Sequence, residues 1–229
     1  MLIMKISVII PALNEEEYIK ITLSSLSVTS NEEIIVIDGG SNDRTVAVAR
    51  QFTKKVFVTE KGRGYQLGYG AEKATGDILL FLHADCILPD SAFDVIRNIM
   101  NDRDVAVGAF NLGIDHVSFC FRVIAFGANL RSWVTRVPYG DQGMFMRRDV
   151  YDSVGGFSNV PIMEDIEISQ KLKKRGHVKF VRPHIKASPR RWLKEGLLTT
   201  TMRDWKLALS YSLFNAEPDK LLKQYKDVR

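Results

Sequence analysis

The chain is predicted to be an α/β protein with a mostly parallel central sheet covered by helices on both faces. Two observations predict it. Short apolar strand-like runs alternate with stretches of helical period from residue 5 to residue 85, in the order β-α-β-α-β-α-β. Such an order requires parallel strands joined by right-handed crossovers. The strand-like runs also end on polar residues at one edge: "PALNEE" after the first, Asp38 after the second, Asp85 after the fourth. In open parallel sheets ligands bind at the carboxyl ends of the strands, so these residues mark the functional edge.

"KISVII" (5–10) reads as a buried strand, and 14–26 as a helix with Ile19, Leu23 and Leu26 on one face and acids in its first turn. "EIIVID" (33–38) is the second strand. The stretch 41–52 reads as a helix with Ser41 and Asn42 as cap candidates. "KVFVTE" is a strand, "GYQLGYGAEKA" a helix and "DILLFLHAD" (77–85) a strand. Beyond residue 90 come a helix at 91–100, a strand at 104–112 and an amphipathic helix at 117–134. A loop at "PYGDQGMFMRR" leads into a strand, then a short helix and turn, a helix from Glu164 closed by Gly176, a last strand "HVKFV", and an amphipathic helix over 193–213.

The 229 residues suffice for one large domain with a substantial core, and no repeat or low-complexity linker divides them. Apolar content of 45% and charged content of 26% are those of a soluble globular protein. Two cysteines give neither a metal spacing nor a disulfide framework, so a reducing, cytoplasmic setting is expected. No signal peptide or membrane span is read. Charge is uneven: residues 171–206 hold 12 Lys or Arg against only Glu195 and Asp204. That run reads as a solvated basic face, a site for a phosphate-bearing ligand, or a surface for an anionic membrane. No nucleic-acid motif accompanies it.

Asp85 raises a specific question, because an unpaired carboxylate at the end of a core strand is costly to bury. It either caps the following turn or holds a ligand or metal. Several nucleotide sites are excluded by context. "PALNEE" has no G-x-G-x-x-G after the first strand, and the glycines of "GRGYQLGYG" follow the third strand with the wrong spacing. There is no G-x-x-x-x-G-K-[ST] loop, no D-x-D after the first strand, and no Gly-rich basic loop at the N-terminus.

Five stretches in register, "SVIIPALNEEEYI", "VIDGGSNDRT", "GRGYQLGYGAEKATGDILLFLHAD", "GDQGMFMRR" and "MEDIEIS", resemble the family 2 glycosyltransferases. The resemblance covers roughly residues 5 to 192. Within that family, "PYGDQGMFMRR" and "SPRRW" look most like the small soluble enzymes associated with arsenosugar or selenium gene clusters. It implies a GT-A fold in a single domain over 1–229. About 1–115 would form a Rossmann-like nucleotide-sugar half, and about 116–229 an acceptor-side half.

By the same resemblance, Pro11, Ala12, Asn14, Glu15 and Asp38 would bind the donor base and ribose. Arg63 would face the diphosphate, with Lys61 as runner-up, and Asp43 would cap a helix. The family's D-x-D metal motif is here His83-Ala84-Asp85, so Asp85 is the expected ligand of Mg²⁺ or Mn²⁺ and the role of His83 stays open. In "MEDIE", Asp165 would act as general base with Glu164 supporting it, although acids at a helix start also suit the dipole. Asp141 and Gln142 resemble the acceptor-side loop. Of Arg190, Arg191 and Trp192, Arg191 would clamp the diphosphate and Trp192 would lie on the acceptor side.

The implied activity is inverting, metal-dependent transfer of a sugar from a UDP- or GDP-sugar to a hydroxyl on a small-molecule or lipid-linked acceptor. The alternative is a nucleotide-sugar-binding module that performs no transfer. Apolar stripes on 117–130 (Phe119, Phe126, Leu130) and 197–213 (Leu197, Leu198, Trp205, Leu209, Leu213) are expected to face the core or a second copy in a homodimer. Peripheral docking at the inner membrane face is the alternative.

Overall fold

The computed structural model describes residues 3–160 and 162–214. Its first half is β1 (Ile6–Ala12), α1 (Glu16–Ser24), β2 (Glu32–Asp38), α2 (Thr45–Ala49), β3 (Val56–Val58), α3 (Arg63–Lys73) and β4 (Ile78–Phe81). These four strands are parallel in the order β3-β2-β1-β4. Alternation along each strand divides its side chains between two cores. Val8, Ile10, Val36 and Leu80 pack with Ile19 and Leu23 of α1 on one face. Ile9, Ile35, Ile37, Leu79 and Phe81 pack with Leu67 and Ala71 of α3 on the other. Fully burying an aliphatic side chain stabilises by about 1.5–3 kcal/mol, so each register is strongly set.

The second half adds β5 (Cys86–Ile87), α4 (Ala92–Met100), β6 (Val105–Ile114), α5 (Phe119–Thr135), a 3-10 turn at Gly140–Gln142, β7 (Met144–Arg147) and α6 (Arg148–Ser153). It continues with α7 (Glu164–Leu172), β8 (His177–Ala187), α8 (Arg190–Glu195) and α9 (Leu197–Phe214). One eight-stranded sheet results, in the order β3-β2-β1-β4-β7-β6-β8-β5. β7 runs antiparallel to β4 and β6, β5 antiparallel to β8, and the other strands share one direction.

The structure departs from the sequence reading at several points. The fourth strand stops at Phe81, because the Cys86 N–H bonds the His83 carbonyl at 3.2 Å and closes a turn. Asp85 therefore sits in that turn, and the chain reverses to pair Cys86 with Ala187. The last strand runs on from Val181 to Ala187 along β6. The stretch 193–213 is two helices, divided at Gly196 with φ of 91°. Gly176 is no left-handed cap: a Cβ there would lie 2.4 Å from the Asp104 carbonyl, so close strand approach demands it.

The helix expected at 41–52 is only Thr45–Ala49. Asp43 caps it by accepting the Thr45 N–H at 2.9 Å, whereas Ser41 bonds Asp38.

The core half of one expectation fails at α5. Its buried face is Phe121, Ala125, Asn129 and Ser132, and the Asn129 amide grips the Leu112 backbone with bonds of 2.7 and 2.9 Å. The stripe of Phe119, Phe126 and Leu130, expected to face the core or a second copy, is not in the core of this chain but exposed. Of the other expected stripe, Leu198 and Trp205 are also exposed, while the side chains of Leu209 and Leu213 lie outside the described residues.

Candidate functional site

A cleft of ≈ 1280 Å³, counting its open mouth, lies across the carboxyl ends of β1 and β4. Its floor carries Pro11, Glu15, His83 and Asp85, its far wall Tyr139, Asp141 and Asp165, and its cover Arg190, Arg191, Trp192, Asp204 and Leu207. The polar edge expected of a parallel sheet is therefore one wall of a real cavity.

Arg190 organises the floor. Its guanidinium donates to both oxygens of Glu15 at 2.6 Å and approaches Asp85 Oδ2 at 3.0 Å, and it lies 4.5 Å over the Tyr18 ring. Burial works against its charge, but the bonds to Glu15 and the charge of Asp85 outweigh burial and hold it firmly protonated. Among the described residues it sets one positive charge between the two carboxylates. Donor atoms of His83, Asp85 and Cys86 lie within 4.8 Å of one another. Cys86 is fully buried, and its S–H points to Asp85 Oδ1 and the Asp141 carbonyl. His83 and Asp85, which do line the cleft, thus make a nitrogen–oxygen donor pair, and this set fits a divalent cation.

Asp165 stands on the opposite wall at the start of α7. Preceding it, Met163 has φ of 67°, a left-handed conformation uncommon for such a side chain. Oδ2 of Asp165 accepts the Gly140 N–H and Oδ1 accepts its neighbour's N–H, each at 2.8 Å. A carboxylate oxygen has two lone pairs, so each retains capacity for one more bond. Gly140 is tightly enclosed: a Cβ there would meet His83 Nε2 at 2.5 Å and Asp165 Oδ2 at 3.5 Å. The 3-10 turn thereby ties the two walls together.

Glu164 is buried beneath the cleft. It faces Arg63 at 3.4 Å, and its Oε2 has no hydrogen-bond partner among the described residues. Burial raises its pKa, with Arg63 opposing and Asp165 adding to the rise. Burial likewise pushes Asp141 up to about 6, against Arg131. Tyr139, under the Arg131 guanidinium at 3.6 Å, is pushed up to about 12 by burial.

Of the sequence-predicted residues, Pro11, Glu15, Arg63, Asp85, Asp141, Asp165, Arg191 and Trp192 all line this cleft. Others do not. Ala12 is core, and Asp38 bonds Gly40 N–H, Ser41 N–H and Ser41 O–H in a tight turn. Asn14 lies on a separate shallow groove with Asp43 and Lys194. Gln142, expected on the acceptor side, is buried and bonds Ser132 O–H and Tyr139 N–H, so it braces the loop. Sequence reasoning missed Arg131, Tyr139 and Gln66 as cleft-lining residues, and the pairing of Arg190 with Glu15 and Asp85. Gln66 joins strand ends by donating to the carbonyls of Ala12 and Ile37. Its place on the buried face of α3 was the available signal.

The profile described as glycosyl transferase family 2 matches residues 7–158. The chain belongs to glycosyl transferase family 2. A probable glycosyltransferase, YdaM of Bacillus subtilis, is 26% identical over 204 residues, 77% of this chain and 48% of that one. The dolichol-phosphate mannosyltransferase of Pyrococcus furiosus is 29% identical over 181 residues, 72% of this chain and 49% of that one. This family 2 chain thus spans about half the length of those relatives. Among solved structures, the mannosyltransferase PcManGT of Pyrobaculum calidifontis, in complex with GDP-Man and Mn²⁺, superposes with a TM-score of 0.69. It has 18% identity and the alignment covers 98% of this chain and 69% of that one. S. aureus TarS 1-349 with UDP-GlcNAc gives a TM-score of 0.65 at 16% identity, covering 96% and 72%. These likenesses establish the GT-A fold.

Proposed function

We propose that this family 2 chain is an inverting, metal-dependent glycosyltransferase that moves a sugar from a nucleoside-diphosphate sugar to a hydroxyl acceptor. The observation that carries the reading is that Asp85 and Asp165 line one cleft. They come from a turn after β4 and from the start of α7. The diphosphate belongs at the Asp85 end, among Glu15, Arg63 and Arg191. The acceptor belongs at the Asp165 end, between Asp141 and Trp192. Held by Asp85 and His83, Mg²⁺ or Mn²⁺ would neutralise charge developing on the departing diphosphate.

Asp165 takes the proton of the acceptor hydroxyl, whose oxygen bonds the anomeric carbon as the bond to the diphosphate oxygen breaks. One displacement with one base inverts the anomeric centre, and no second carboxylate is required as nucleophile. The Gly140 N–H fixes the carboxylate's orientation, and α8 and α9 cover the cleft against water. GDP-Man and UDP-GlcNAc in the neighbouring structures support a nucleotide-sugar donor, and the Pyrococcus relative's name supports a lipid-phosphate acceptor beside a small-molecule one.

Asp165→Asn tests the reading. Calorimetry with donor and Mn²⁺ should show affinity within about twofold of the parent, while diphosphate release in a donor panel falls by about 10²–10⁴-fold. Undiminished turnover in the variant would overturn the assignment. A parent chain that binds donors but releases no diphosphate would leave the binding-module reading instead.

A further inference from the structure

The outer face of α5 carries Phe119, Val123, Phe126, Leu130, Trp133 and Val134 in helical register, all exposed, with only the Trp133 indole N–H tied back to the chain, donating to Asn111 Oδ1 at 2.9 Å. Phe126 is 61% exposed and Val134 is 75% exposed. Scattered exposed apolar residues are ordinary, but a contiguous row is the mark of an interaction surface. The row does not end with α5. Trp205 of α9 continues it, packed against Gly127, 3.6 Å from a Cβ built there, while on the buried side of α5 Phe121 meets Trp192 of α8 edge-on at 6.3 Å. Helix α9 presents Leu198, Met202 and Trp205 outward at i, i+4 and i+7, while Leu207, Ala208 and Tyr211 on its opposite side close the cleft. It is apolar on both faces; on the outward one Trp205 leans on α5 at Gly127, while Leu198 and Met202 stay open to solvent.

Charge identifies the occupant. Helix α5 has no acid; its Arg131 turns to the Tyr139 ring and the cleft, and its Arg122 stays on the outer side. Exposed Arg122 borders its stripe, and exposed Lys206 borders that of α9. The acids of α8 and α9, Glu195 and Asp204, are bound to Arg203 and Arg191 at 2.5 and 3.0 Å. A two-fold copy would set this cationic face against itself, which is unfavourable, whereas an anionic lipid surface complements it. Among the described residues no helix is long and apolar enough to cross a membrane.

We infer that α5 and the outward face of α8 and α9 form a peripheral docking surface for an anionic phospholipid bilayer. Apolar side chains enter the headgroup boundary, and Trp133 and Trp205 sit at its level. Trp192 and Arg191 belong both to this region and to the cleft, so docking brings the acceptor end of the cleft to the lipid. The inference rests on the exposed face and not on sugar transfer.

Flotation of the 229-residue chain with phosphatidylcholine vesicles, alone or mixed with phosphatidylglycerol, tests it. Co-flotation is expected only with the anionic vesicles, and it should weaken as salt rises. Phe126→Asp with Leu198→Asp should abolish flotation while leaving the thermal melt unchanged. Arg122→Glu should lower the partition coefficient by about fivefold or more, as one surface cation contributes about that factor. Absence of flotation at low salt overturns the proposal. A dimer in sedimentation that Phe126→Asp dissociates, without flotation, overturns it too and assigns the face to a second copy.

Discussion

Arg190 divides a single charge between Glu15 and Asp85, and this division leaves room for a cation beside Asp85. Asp85→Asn retains the strand-end turn and keeps the Arg190–Glu15 pair, so the fold should persist. Calorimetry should show nucleotide affinity gaining little from Mn²⁺ in the variant, a loss of about tenfold or more from one charged ligand. Undiminished Mn²⁺-dependent affinity would remove Asp85 from the metal site.

Asp141 makes a second residue-level prediction. Burial raises its pKa to about 6, so between about pH 4 and pH 6 the folded chain holds a proton that the unfolded chain has released. Its contribution to stability therefore falls as pH rises through that window, and above it the ionised group opposes folding. Asp141→Asn should raise Tm near pH 7.5 and shift it far less near pH 4. Equal shifts at both values would contradict the burial argument. The identity of these acids was legible in "HAD", "GDQG" and "MEDIE". The partner of Asp85 was not, because Arg190 lies far along the chain and nothing local distinguishes it from Arg191.

At the scale of elements, strand and helix types followed from period, but two kinds of feature did not. One is where glycine lets elements meet. Gly108 of β6 lies under the Phe145 ring of β7, where a Cβ would stand 2.2 Å from the ring, and that ring packs against Phe110. Gly108→Ala should destabilise by about 1–3 kcal/mol, read as a lower urea midpoint with unchanged slope. An unaltered midpoint would show that the ring moves freely. The other is the direction a helix faces. The apolar stripe of α5 was visible in the sequence, yet Asn129 turns inward because the Leu112 N–H and C=O require partners, and Ser132 turns inward to donate to Gln142 Oε1. A stripe announces that a surface is apolar and leaves open what covers it.

The whole molecule closes one sheet by placing β7 antiparallel between β4 and β6, which sets the second half opposite the strand ends of the first. On the proposed reading donor binding engages both halves, Glu15 and Asp85 on one side and Arg191 on the other. A ligand present at a hundred times its Kd stabilises the native state by about 2.7 kcal/mol. A melting panel should show a rise in Tm with a UDP- or GDP-sugar plus Mn²⁺, smaller with either alone. No rise with any donor would argue against the nucleotide-sugar site.

By itself the sequence determined the alternating α/β order, the polar edge, and the acids that carry the proposed chemistry. Each depends on period and residue type over a few neighbouring positions, where strand alternation and helical turn impose their own rules. Tertiary structure alone decided the pairing of Arg190 with Glu15, the bond from Gly140 to Asp165, and the outward face of α5. These join positions as far as 175 residues apart, and a local pattern carries no information about which distant group will meet a charge, a carbonyl or an apolar face.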